Sequence, residues 1–218
     1  MKQQRIPPLI IDIVQSGLLA CDGIVFDNRD SCPACGGKLT GYDTKKKQFA
    51  VLLEGGNRHP IHVMVKRFSC RQCRAVCFAD EPFYPDTRIG SPIVDLAVSL
   101  AAGMSFYRAT ALMKHLGIVI DRGTVRNFMK RSFPGISTTD LFGIRLPLSI
   151  ITLSELAART REGGRIPGAE ALAASGFPSA YRAAPDLRFW GKQGKERKEE
   201  KDKEERNADH PEYDSNDK

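Results

Sequence analysis

Four cysteines carry the clearest chemistry in this chain. Cys32-Pro-Ala-Cys35 and Cys70-Arg-Gln-Cys73 are two Cys-x-x-Cys pairs separated by 34 residues. A two-residue spacer lets both sulfurs of one tight turn face a common point, and four soft thiolates suit tetrahedral zinc. Gly36 and Gly37, after the first pair, tolerate the backbone angles such a turn needs. The alternatives are two disulfides or thioredoxin-like redox chemistry. The latter normally uses one Cys-x-x-Cys beside a βαβ pattern, which is absent. One structural Zn2+ per chain at Cys32, Cys35, Cys70 and Cys73 is the expectation, with Cys77 the competitor for one position. With no place left for water, such a metal holds a fold and does no chemistry. His59 and His62 read as solvent-facing strand residues.

The gap between the pairs exceeds the usual spacing and has to be filled by structure. Phe49, Val51 and Leu53 alternate, as do Ile61, Val63 and Val65, and Glu54-Gly55-Gly56-Asn57 between them is a turn signal. A hairpin there returns Cys35 and Cys70 to one end, the layout of a zinc ribbon over residues 30–80.

After Pro92 the period becomes helical. Ser91 is placed to cap a helix with Pro92 in its first turn, followed by Ile93, Leu96, Ala97, Leu100 and Ala101 at helical spacing. Ser105 caps a second helix with the stripe Phe106, Ala109, Leu112, Met113 and Leu116, stopped by Gly117. Asp121 caps a third, in which Val125, Phe128 and Met129 turn inward. A rotation of about 100° per residue puts Gly123, Arg126, Asn127, Lys130 and Arg131 opposite Val125. Two short helices joined by a turn, the second basic, describe a helix-turn-helix within residues 90–133. A solvated face on a small bundle is the plainer reading of the same charges.

Charge favours a polyanionic partner. The chain carries +7 over 218 residues, but residues 32–135 alone hold 16 basic and 7 acidic side chains. On the hairpin, Lys45, Lys46, Lys47, Lys66 and Arg67 would add sequence-independent attraction to a phosphate backbone. On the third helix, Arg126 and Asn127 are expected nearest base edges in the major groove, with Lys130 and Arg131 nearer phosphates.

In their order, these elements resemble the N-terminal DNA-binding part of insertion-sequence transposases. The resemblance covers residues 30–133: the Cys-x-x-Cys hairpin, Phe68-Ser-Cys-Arg-Gln-Cys73, Phe83-Tyr84-Pro85, Met104 to Ala109, and Gly123 to Phe128. It implies binding to terminal inverted repeats, with Thr124, Arg126 and Asn127 at the start of the recognition helix. Arg74 departs from the glycine common after the second pair, which predicts a looser second knuckle. The interhelix loop Gly117–Asp121 is also longer than in the shortest helix-turn-helix units. Such transposases continue into a ribonuclease-H-like domain with three metal-binding carboxylates. Here Asp140, Glu155, Glu162, Glu170 and Asp186 follow without a series of strands to gather them, so the chain is expected not to be an enzyme.

The flanks complete the reading. Residues 1–29 form an apolar segment in which Leu18-Leu19-Ala20-Cys21 imitates a lipoprotein cleavage box. Asp12 and Gln15 interrupt it, which favours a short docking helix or strand, with Cys21 a free thiol. Residues 136–190 read as a partly helical linker, with a helix entered at Pro147. The aliphatic excess at 144–158 offers a homodimer or protein partner a surface. Residues 191–218 alternate charges of both signs and cannot bury enough apolar surface to order. No apolar run approaches a membrane span.

The sequence thus predicts an α+β protein, a zinc ribbon followed by a three-helix unit and a disordered charged tail. The expected role is double-stranded DNA binding in the cytoplasm, nucleoid-associated if prokaryotic. A protein-interaction or RNA-binding module is the alternative.

Overall fold

The computed structural model describes residues 6–133, 135–160 and 165–176; the charged tail at 191–218 lies outside them. The chain is α+β, with a long hairpin at its centre. β2 (Leu39–Glu54) and β3 (Asn57–Cys70) pair antiparallel from Glu54↔Asn57 down to Leu39↔Cys70. Their two-residue loop is Gly55-Gly56, with φ of 56° and 87°, the double left-handed geometry that the right-handed twist of a hairpin favours. The turn falls where the sequence placed it, but the strands run much farther than the alternating core at 49–53 and 61–65. Beyond that core, residues 40–46 stay exposed, outside the hydrophobic core.

The other edge of β3 takes two short strands in succession. β1 (Val25–Phe26) pairs parallel at Met64 and Val65, and β4 (Val76–Phe78) antiparallel at Arg67 to Ser69. Phe49, Leu52, Ile61, Val63 and Val65 are fully buried beneath the helices, so hairpin and helices share one hydrophobic core.

α1 (Pro8–Leu19) places Ile10, Val14, Gly17 and Leu18 inward, so of the helix or strand left open for this segment the helix forms. α2 (Ser91–Ala101) is the central helix, buried on nearly every side. Here Ser91 differs from the sequence reading. Gly90 is the N-cap, and the Ser91 hydroxyl is buried without a hydrogen-bond partner. Position 90 has no room for a side chain, because a Cβ on Gly90 would lie 2.3 Å from the Phe49 ring. α3 (Phe106–His115) and α4 (Arg122–Met129) follow, capped by Ser105 and Asp121 as read.

Residues 138–147 are not linker. β5 (Thr138–Leu141) and β6 (Ile144–Pro147) form a second hairpin whose loop, Phe142-Gly143, has φ of 52° and 76°. α5 (Leu148–Arg159) starts after Pro147 and crosses α1 so closely that a Cβ on Gly17 would lie 2.9 Å from the Ser154 amide nitrogen. α6 (Gly168–Ala174) leans on β1. The aliphatic excess of 144–158 is therefore turned inward: Ile144, Leu146, Ile150, Leu153 and Leu156 are buried, leaving only Leu148 as a large exposed apolar side chain. Most of this aliphatic run packs against α1 and α2.

Between α2 and α5 lies a buried polar cluster. Asp95 accepts from the Tyr84 hydroxyl at 2.6 Å and from Ser149 at 2.9 Å. Burial pushes its carboxyl up to about 6.

Candidate metal centre and nucleic-acid face

The two Cys-x-x-Cys pairs build the same local turn twice. In the first, the Gly36 amide donates to the Cys32 carbonyl at 2.8 Å and the Cys32 amide to Gly37 at 3.1 Å. In the second, the Arg74 amide donates to the Cys70 carbonyl at 3.1 Å and the Cys70 amide to Ala75 at 2.9 Å. Gly36 has φ 72° and Arg74 φ 59°. The looser second knuckle expected from Arg74 is not what forms: arginine adopts the left-handed angle and the turn closes equally tightly. The hydrogen-bonded turn and the sheet pairing of Cys70 with Leu39 outweigh the steric cost of a Cβ there, about 1–2 kcal/mol.

The hairpin then superposes the two turns at one end. Cys32 Sγ lies 3.6 Å from Cys73 Sγ, Cys35 Sγ lies 3.5 Å from Cys70 Sγ, and all four sulfurs fall within 4.8 Å of one another. A tetrahedral ion with bonds of about 2.3 Å needs sulfurs about 3.8 Å apart, so the quartet fits one metal ion. Gly37 closes over it; a Cβ there would lie 3.1 Å from Cys70 Sγ. Backbone amides of Cys73 and Gln72 hold the Cys70 thiol down to about 6, and the Ala34 amide lowers that of Cys32. Cys73 is drawn down by the Ala75 amide yet pushed up to about 12 by the Cys35 and Cys32 sulfurs. Thiols lowered by backbone amides and crowded by neighbouring sulfurs are compatible with a structural metal site.

Cys77 is not in the quartet. It lies on β4, 9% exposed, and belongs to the hydrophobic core. Cys21 is likewise buried, its Sγ donating to the Gly17 carbonyl at 3.4 Å.

At the other end of the hairpin stand α3 and α4. The turn between them docks on the β2 edge. The Leu53 amide donates to Gly117 at 2.7 Å, the Val119 amide donates to Val51 at 2.9 Å, and Ile118 bridges Leu52. The loop that is long for its kind is thus a piece of sheet edge. Asp121 then caps α4, accepting the Thr124 amide at 2.8 Å, and this bond and the Thr124 hydroxyl hold its carboxyl below the usual range. Val125 and Phe128 anchor the helix. Gly123, Arg126, Asn127 and Lys130 are exposed together on its opposite side. Thr124 is half-buried and spends its hydroxyl on the cap. Arg131 is also used internally, donating to the carbonyls of Pro85 and Asp86.

The hairpin cations divide the same way. Lys45 and Lys46 are exposed and Lys66 half-buried. Lys47 instead pairs with Glu81 at 2.6 Å and sits 4.0 Å over the Phe78 ring. Arg67 forms a two-pronged pair with Asp43. Sequence reading missed these acceptors because Glu81 is 34 residues from Lys47 and a bulge between Gly41 and Asp43 shifts the register. It also passed over Tyr42 and Phe78, exposed aromatics that only the strand pairing brings beside these cations.

Among the described residues the cysteine quartet is the one grouping of three or more His, Cys, Asp or Glu ligand atoms, so Asp140, Glu155 and Glu170 do not converge; Glu162 and Asp186 lie outside the described residues. No helix among them is long and apolar enough to cross a membrane. Compared with protein-family models, with curated proteins and with solved structures, the chain returns no match.

Proposed function

We propose that this chain is a zinc-dependent, transposase-like DNA-binding protein that reads duplex DNA with α4 as the second helix of a helix-turn-helix and catalyses no reaction of its own. The observation that carries this reading is the surface of α4. A short helix, capped at Asp121 and fixed by Val125 and Phe128, turns Arg126, Asn127 and Lys130 outward together. Arg matches the two acceptors of guanine and Asn the donor–acceptor pair of adenine. Lys130 is left for phosphates. The cysteine quartet, filled by one Zn2+, holds the far end of a hairpin whose near end supports the turn before α4. Zinc is a structural ion in this reading, since four thiolates leave no position for substrate.

The test begins with selection of bound DNA from a random pool, then measures binding of the selected and scrambled duplexes across salt concentrations. Arg126→Ala should relax sequence preference by about 1–3 kcal/mol. Lys130→Ala should weaken binding to both duplexes alike and reduce the salt slope by about one. If both variants behave as the parent, the α4 face is only solvated surface. A structured RNA bound more tightly than any selected duplex would replace DNA as the partner. Manganese-dependent nicking abolished by Asp140→Ala would overturn the non-enzymatic reading.

A further inference from the structure

The cysteine end of the hairpin carries a surface that the α4 reading does not use. Residues 38–47 and 64–78 contain eight basic side chains and one acidic, Asp43. Their strands lie side by side, β2 against β3 and β3 against β4. Arg67 is on the central strand, paired across to Asp43 on one side and Phe78 on the other. Its guanidinium is 5.2 Å from the Tyr42 ring centre and 5.9 Å from that of Phe78, and Asp43 grips it from the edge. Tyr42 is 60% exposed, Phe78 36% and Val76 on the same strand 47%. Lys45, exposed on β2 opposite Val65, shares the Arg67 face and lies 4.0 Å from Asp43, whereas Lys46, opposite Met64, belongs to the other face.

A core residue would not leave a tyrosine ring this open, and a plain solvated face would not alternate aromatic rings with a clamped guanidinium. Flat π faces interleaved with cations suit unpaired bases strung on a phosphate backbone. Stacking needs no base identity, because every base has a π face, and the cations follow the strand. A duplex hides those faces inside its stack. We infer that the strip Tyr42–Arg67–Phe78 is a second nucleic-acid site, one that binds single strands by stacking a base on the open Tyr42 ring while Lys45 contacts phosphate and Phe78, one face covered by Lys47, borders the strip.

The probes are labelled oligothymidylate, oligodeoxyuridylate and oligouridylate of about twelve nucleotides, within the site size of single-strand binders, tested on the metal-loaded full chain. Tyr42→Ala should weaken binding of the favoured strand about 5- to 150-fold, the worth of one stacked base. Tyr42→Phe should retain parent affinity, since the ring remains. Metal content and melting temperature should be unchanged in both, because Tyr42 lies outside the core. A preference between oligodeoxyuridylate and oligouridylate, which share a base, assigns the sugar, and equal binding of these two means the 2′-hydroxyl is not read. Parent affinity in Tyr42→Ala, equal loss in Tyr42→Phe, or oligothymidylate and oligouridylate each bound no more tightly than a linear polyphosphate of equal charge would each overturn the stacking site. Arg126→Ala separates this from the α4 reading, as it should alter duplex binding and leave single-strand binding intact.

Discussion

The Val119 amide, two residues before the cap of α4, donates to the carbonyl of Val51 on β2 at 2.9 Å. That bond makes the helix carrying Arg126 and Asn127 an extension of the hairpin edge, so its aim depends on the sheet. Gly117 permits it, turning at φ 83° with its carbonyl on the Leu53 amide. Gly117→Ala should cost about 1–2 kcal/mol for the left-handed angle, and its Cβ would also displace Gln15. Denaturant unfolding measures the cost; an unchanged midpoint would show that the turn relaxes freely.

Metal binding should depend on the quartet and not on Cys77. Cys70→Ser is expected to lose the bound zinc and most of the cooperative unfolding transition, as chelation of the parent should. Cys77→Ser should keep one zinc per chain. Metal analysis of purified variants decides it, and a Cys77→Ser protein without metal would move the ligand set.

Arg74→Gly should stabilise the protein by about 1 kcal/mol, since glycine takes φ 59° without the steric cost but loses more backbone entropy on folding. Gly36→Ala, at the matching position of the other knuckle, should destabilise by a similar amount. Paired melting curves test the knuckle symmetry, and a destabilised Arg74→Gly would mean that the side chain has a role beyond the turn.

Asp95 titrates in the fold at about 6, above its ordinary value of 3.8, because burial disfavours its charged form. The folded state therefore holds the proton more tightly than the unfolded one, and stability falls as pH rises from about 4 to 6, by up to about 3 kcal/mol. Asp95→Asn, which can still accept from Tyr84, removes this dependence. The variant should match the parent near pH 4 and exceed it above pH 7. Comparing the two cancels the acid sensitivity of the cysteines. A parent more stable than the variant at pH 8 would show that the charged hydrogen bonds outweigh burial.

Lys47 should behave as a core residue. With its side chain 28% exposed and that of Glu81 19%, Lys47→Ala strands a mostly buried carboxylate and should cost roughly 1–3 kcal/mol. The salt dependence of the proposed DNA binding should stay as in the parent. Lys46→Ala should do the reverse, leaving stability alone.

Features set by neighbours in the chain were legible in the sequence. The knuckles need only two cysteines and a tight turn, Gly55-Gly56 forces a two-residue loop, and Ser105 and Asp121 cap helices through amides three residues away. The charge excess at 32–135 is likewise plain arithmetic. Contacts between distant segments were not legible. Ser91 falls one residue inside the helix while Gly90, packed on the Phe49 ring, takes the cap position, and the apolar run at 144–158 finds its cover in α1 and α2. Lys47 and Arg131 find acceptors 34 and 46 positions away. A basic side chain looks the same in sequence whether it meets water, a carboxylate or a carbonyl, because what it meets depends on how the whole chain is packed. Residue type and spacing therefore determined where cations and thiols are concentrated, and only the tertiary structure decided which of them remain free to bind.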